Sequence, residues 1–73
     1  MKAYSLGSHV GSEVERYIRA TRNPIKKQYA NAYAMFQMAG RVEPEIPTGI
    51  SYMASQAVRH RIMAIINSYV WEG

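Results

Sequence analysis

The residues with the clearest chemical character form a run of cations between Arg16 and Lys27. This stretch holds five of the chain's nine Lys and Arg residues and no acid. We call the five the basic span: Arg16, Arg19, Arg22, Lys26 and Lys27. Positive charge without compensating acids favours a negative partner, such as nucleic acid, an anionic membrane face or an acidic protein surface. An ordinary solvated face is the alternative interpretation.

Groups that could perform catalysis or hold a metal are sparse. The chain has no cysteine and only two histidines, His9 and His60, which stand far apart in the sequence. All of its acids are glutamates, and no Gly-x-Ser-x-Gly turn or phosphate-binding glycine loop is present. We therefore predict no catalytic residue, no metal site, no cofactor and no small-molecule substrate, and we expect a protein that is not an enzyme.

Aromatic side chains supply the other candidates for binding. The chain has six tyrosines and one tryptophan, the residue types that anchor many interfaces. Helical periodicity assigns Tyr29, Phe36 and Tyr69 to the core. The aromatic residues that we predict to be exposed and to contact a partner are Tyr4, Tyr33, Tyr52 and Trp71. Arg59 belongs to the same predicted contact set.

The elements that must position these residues are helices. We predict an all-α domain over residues 12–73, with helices at about 12–22, 24–39 and 50–69, preceded by a mobile arm or short strand over residues 1–11. Ser12 and Glu15 form a capping-box pattern that predicts the first helix start. Asn23 and Pro24 are typical of an N-cap and first helical residue, and Gly40 is a typical helix stop.

Two apolar stripes at helical spacing predict the core. The stripe of the second helix is Ile25, Tyr29, Ala32, Phe36 and Ala39. That of the third helix is Ile50, Met53, Ala54, Ala57, Val58, Ile62, Ile65, Ile66 and Tyr69, with Ser55 and Arg59 on the polar side. Arg61 lies at the edge of this stripe, where its alkyl stem can cover core atoms. A proline-rich loop over residues 41–49 separates the two helices.

Composition points to an intracellular setting. The net charge is +4 and there is no cysteine, which fits a reducing compartment. The first residues lack the apolar core of a secretory signal, and the longest apolar run is too short to cross a bilayer. We expect a soluble protein without membrane contact, located in the cytoplasm, or in the host cytoplasm if a phage encodes it.

The whole chain resembles a small transcription regulator of a Xanthomonas phage that binds host RNA polymerase. The likeness rests on length, on the cysteine-free basic body and on the tyrosine-rich beginning and end. It implies a non-enzymatic inhibitor of transcription initiation that also promotes antitermination and contacts the large polymerase subunits near the RNA exit path. It carries no residue roles over to this chain.

Two other resemblances are narrower. The alternative function is that of a small basic helical DNA- or RNA-binding protein, as a monomer or a dimer. If it is a helix-turn-helix protein, residues 24–40 form the recognition helix, with Lys26 and Lys27 in its first turn. Residues 42–47, ahead of a helix that ends in His60 and Arg61, are superficially similar to a theta-type accessory subunit of a replicative polymerase. The helix register of that pattern does not match.

Overall fold

Three helices make up the fold. The computed structural model describes the backbone of residues 2–70 and the side chains of residues 11–68. The helices are α1 (Lys2–Ala20), α2 (Pro24–Ala39) and α3 (Tyr52–Val70), and no strand occurs in this range. The predicted all-α class is confirmed. No helix in the described part of the chain is long and apolar enough to span a membrane.

The start of α1 was predicted wrongly. The helix begins at Lys2, so residues 2–11 are helical rather than an arm or a short strand, and Ser12 lies inside the helix instead of capping it. The error has a physical source, because Leu6, Val10 and Val14 are four residues apart. That spacing continues a helical stripe, whereas we took the even steps before Val10 to indicate a mobile arm or a short strand.

The boundaries of α2 match the prediction, and the predicted caps explain them. The Asn23 side-chain oxygen accepts hydrogen bonds from the amides of Ile25 at 2.9 Å and Lys26 at 3.0 Å. At the other end Gly40 adopts the left-handed conformation, with φ of 68°, and its amide donates to the Met35 carbonyl. Glycine adopts this conformation without steric cost, so the helix stops there.

The connection between α2 and α3, residues 40–51, runs back along α2, and we call it the returning segment. Pro44, Glu45 and Pro47 border a cleft whose other wall is the first half of α2. Gly49 then lies against Ile25: a Cβ atom at residue 49 would be 2.6 Å from Ile25 Cδ1. Because the chain returns to the beginning of α2 before α3 starts, α2 and α3 run in the same direction.

The helix α1 runs opposite to the other two. It joins α2 through the short connection of residues 21–23, and its Gly11 lies near Met38, close to the end of α2. Tyr17 lies beside Arg61, while Glu13 shares a cleft with Ser68, further along α3. The end of α1 and the beginnings of α2 and α3 therefore meet at one end of the bundle. We call it the basic end, because Arg19, Arg22, Lys26 and Lys27 lie there.

The buried core lies between the three helices. Its members are Val14, Tyr29, Ala30, Tyr33, Ala34, Val58 and Ile62. Ser55 is also fully buried, and its hydroxyl donates to the Tyr52 carbonyl at 2.6 Å. The start of α3 is capped by Ser51, whose hydroxyl oxygen accepts from the Ala54 amide at 3.0 Å.

The predicted apolar stripes match the buried faces in part: Tyr29, Val58 and Ile62 are buried as predicted, but other members of the stripes are exposed. In α2, Tyr33 and Ala34 are buried, whereas Ile25 is 37% exposed and Ala39 is exposed. In α3, Met53 is 79% exposed although the stripe included it. The reason is that α2 contacts both α1 and α3 and is also covered by the returning segment, so one periodic stripe does not describe its buried surface.

Candidate functional site

The basic span surrounds the corner between α1 and α2. Arg16 and Arg19 lie in the last turns of α1, Arg22 lies in the connection, and Lys26 and Lys27 lie in the first turn of α2. All are exposed except Lys26, which is half-buried. Arg19 also contacts Glu15, four residues earlier, at 3.5 Å. That pair is open to water and contributes little to stability.

The corner divides the basic span between two clefts. Lys26 lines a cleft together with Tyr17, Thr21 and Arg22. Lys27 lines a different cleft, next to Ile18, Pro24, Gln28 and Asn31. Consecutive helical residues project about 100° apart, so the two lysines point towards different parts of the surface. The basic span is therefore a bent surface with two faces.

The lysines of α2 lie where they oppose the helix dipole. The first turn of α2 contains no acidic residue, and the positive end of a helix dipole disfavours cations by a few tenths of a kcal/mol each. Local stability therefore gives no reason for Lys26 and Lys27 at these positions. A binding role would explain them.

Tyr33 and Arg59, both predicted as partner contacts, instead contact each other. Tyr33 is only 5% exposed, so the prediction that it is an exposed anchor was wrong. The Arg59 guanidinium lies 5.7 Å from the centre of the Tyr33 ring and 4.0 Å from a Glu43 carboxylate oxygen. Interaction with the Tyr33 side chain raises the pKa of Arg59 above its ordinary value. This contact ties the returning segment to α2 and α3.

Among the other predicted aromatic contacts, Tyr52 lies within the described side chains and Tyr4 and Trp71 do not. Tyr52 is 61% exposed at the start of α3, and its hydroxyl accepts a hydrogen bond from Gln56 at 2.8 Å. Its exposure agrees with the prediction. The side chain of Tyr4 and the whole of Trp71 lie outside the described residues.

Sequence reasoning missed several exposed apolar residues. Met53 lies beside Tyr52 at the basic end, and Ile25 is partly exposed there as well. Val42 is 89% exposed and follows Gly40, so it lies at the opposite end of the bundle. No sequence signal separated Met53 from the core, because Ser55, two residues later and nearly opposite on the helix, is fully buried although its residue type is typical of a polar face.

Tyr17 connects the basic span to α3. Its ring is half-buried, and the Arg61 guanidinium lies 5.9 Å from the ring centre. Burial raises the pKa of the Tyr17 hydroxyl, and the charge of Arg61 offsets part of that rise. The hydroxyl is therefore a hydrogen-bond donor at neutral pH.

Comparisons with protein families, with curated proteins and with solved structures gave no significant match. Within the described residues no group of three or more His, Cys, Asp or Glu side chains is placed to hold a metal ion.

Proposed function

We propose that this protein is a non-enzymatic transcription regulator that binds host RNA polymerase through protein-protein contacts, inhibiting initiation and promoting antitermination. The observation that supports binding to a protein is the composition of the basic end. Tyr52 and Met53, which are 61% and 79% exposed, lie at the same end as Arg22, Lys26 and Lys27.

Exposed apolar and cationic side chains together suit a mixed protein surface. Large apolar side chains gain free energy when they leave water, and cations beside them steer an acidic partner into place. A phosphate backbone would use the cations but would leave Met53 and Tyr52 without an apolar partner. The domain is also small, and a partner that buries this surface would add to a marginal stability.

The choice of RNA polymerase rests on the whole-chain resemblance described above. Surfaces around the nucleic-acid channels of a polymerase combine acidic patches with apolar pockets, and the basic end is complementary to both kinds of surface. The proposal assigns the contact to this end of the bundle.

Affinity capture tests the proposal. A tagged full-length chain is incubated with host lysate, with and without nuclease, and bound proteins are identified by mass spectrometry. The large RNA polymerase subunits should be retained in equal amounts under both conditions. Loss of all partners after nuclease treatment would contradict protein binding, and capture of a replicative polymerase instead would contradict the named partner.

Transcription in vitro tests the regulatory part. Added before promoter binding, the protein should reduce the yield of new transcripts. Added to elongating complexes, it should increase the fraction of transcripts that pass a terminator. The regulatory role would be contradicted if, at concentrations where the polymerase is bound, neither the transcript yield nor the fraction of transcripts that pass the terminator changed.

Direct binding to DNA or RNA is a second candidate function, favoured by one observation. Lys27, Gln28 and Asn31 are all exposed and lie on one face of the first two turns of α2, and residues 21–23 form a short connection to α1. Duplex affinity should then fall steeply with salt, and Lys27→Ala should reduce the slope by about one. Absence of duplex binding at low salt would exclude this candidate.

A further inference from the structure

The cleft that contains Lys26 has an unusual balance of hydrogen-bonding groups. It occupies about 370 Å³ at the corner between α1 and α2, and it is lined by Tyr17, Ala20, Thr21, Arg22, Asn23 and Lys26. No acidic residue is among them. Arg22 and Lys26 therefore bring two positive charges to a cleft without a local counter-charge.

Two polar groups of this cleft already make hydrogen bonds within the protein. The Asn23 side-chain oxygen accepts from the amides of Ile25 and Lys26. The Thr21 hydroxyl donates to the Tyr17 carbonyl at 3.0 Å, so its proton is used as well. The first amides of α2 point to Asn23 and are not available to a ligand.

Four side-chain donors of the cleft make no hydrogen bond to another described residue. They are the Lys26 ammonium, the Arg22 guanidinium, the Asn23 side-chain NH2 and the Tyr17 hydroxyl. A ligand that matches them carries several acceptor oxygens and negative charge. Phosphate has both properties, and charge-assisted hydrogen bonds to it are the stronger kind.

We propose that this cleft binds a phosphate group of a nucleic-acid strand. The position of the neighbouring cations favours a strand over an isolated ion. Arg19 is exposed on the last turn of α1, and Arg61 lies on the other side of the Tyr17 ring, so phosphates adjacent to the bound one would also meet positive charge. The contact is to one phosphate, since Lys27 lines a separate cleft and cannot extend the site.

Arg41 gives a control for the experiment. It is an exposed cation just after the end of α2, so it lies outside the basic span and at the opposite end of the bundle from the cleft. Tyr17→Phe removes only the hydroxyl group and keeps the ring under Arg61. Circular dichroism and thermal unfolding of each variant establish that the helices and their packing are retained.

The test uses the isotopically labelled full-length chain and a short single-stranded oligonucleotide, followed by amide NMR. Shifts should concentrate at Asn23 and Lys26. Lys26→Gln should weaken binding by about tenfold, the loss expected for one charge-assisted contact, while Arg41→Gln changes it far less. Tyr17→Phe should also weaken binding. The log-log salt slope should fall by about 0.7 in Lys26→Gln.

Comparison of the oligonucleotide with and without a 5′-phosphate, and with a phosphoserine peptide, identifies which kind of phosphate is bound. If removal of a 5′-phosphate weakens binding, the ligand is a terminal phosphate; if it does not, the ligand is a backbone phosphate, and either result supports the proposal. Equal weakening by Lys26→Gln and Arg41→Gln would show diffuse attraction and overturn it. Tighter binding of a phosphoserine peptide than of the oligonucleotide would overturn the assignment to nucleic acid. None of these results depends on capture of a polymerase.

Discussion

Gly49 lies so close to Ile25 that a Cβ atom at residue 49 would be 2.6 Å from Ile25 Cδ1. This contact brings the end of the returning segment to the beginning of α2, and α3 starts immediately afterwards. The cations of the α1–α2 corner and the exposed Tyr52 and Met53 consequently lie at one end of the bundle. The composition of the proposed binding surface thus depends on one close approach between a loop and a helix.

Gly49→Ala should destabilise the fold by about 2 kcal/mol, because φ at residue 49 is 112° and the added methyl group meets Ile25. Chemical denaturation measures the effect. Gly40→Ala is the control: its φ is 68° and nothing lies within 4 Å of the added atom, so it should cost about 1 kcal/mol. In an Ile25→Val background, which lacks Cδ1, Gly49→Ala should cost less than in the wild type. An equal cost in both backgrounds would contradict the contact.

Substitution by alanine should lower the stability of the fold much more on the buried face of α3 than on its exposed face. Ile62 is fully buried, and Ile62→Ala should lower the free energy of unfolding by about 3 kcal/mol. Met53 is 79% exposed, and Met53→Ala should change it by less than about 0.5 kcal/mol. Thermal or denaturant unfolding measures both. A large loss of stability in Met53→Ala would mean that the sequence stripe, rather than the observed face, describes the core.

Charge reversal at Lys27 should stabilise the isolated protein. An acid in the first turn of α2 interacts favourably with the helix dipole, so Lys27→Glu should raise the free energy of unfolding by about 0.5 kcal/mol at low salt. The neutral control Lys27→Gln should give a smaller increase, and salt should reduce both. A decrease in stability would show that Lys27 makes a stabilising contact within the fold.

The hydroxyl groups of Tyr17 and Tyr29 should lose their protons at a higher pH than free tyrosine does. Burial raises the pKa of Tyr17 and of Tyr29 above the ordinary tyrosine value of about 10. The folded protein then holds these protons where the unfolded chain releases them, so stability is complete below pH 10 and falls as pH rises above it. Phenolate absorbance against pH should show a late component that Tyr17→Phe and Tyr29→Phe each reduce. A titration complete near the free-tyrosine value would contradict this burial.

Local signals predicted α2 well, and tertiary packing explains what they missed. Asn23, Pro24 and Gly40 set the bounds of α2 by hydrogen bonding and backbone geometry that act over a few residues. The burial of Tyr33 depends on where α3 and the returning segment contact α2, and residues distant in the chain decide that. The start of α1 was missed because the spacing of apolar residues in that short, glycine-containing stretch is compatible with both a helix and a strand.

The candidate site was predictable as a set of charges but not as a surface. The sequence identifies the basic span and the joint at residues 23–24. It does not indicate that Lys26 and Lys27 line different clefts, or that Arg59 is held by Tyr33 and Glu43. Nor does it place Met53 at the same end of the bundle as the cations, because that requires the parallel arrangement of α2 and α3.

Two exposed apolar residues at opposite ends of the bundle give the most direct test of the proposed binding surface. Met53 lies at the basic end and Val42 lies beyond the end of α2, and they are 79% and 89% exposed. The measurement is the affinity of purified RNA polymerase for Met53→Gln and Val42→Gln, each compared with the wild type. Met53→Gln should bind about tenfold more weakly, as expected for loss of an apolar anchor, and Val42→Gln should bind like the wild type. Wild-type affinity in Met53→Gln, or a larger loss in Val42→Gln, would contradict the assignment of the contact to the basic end.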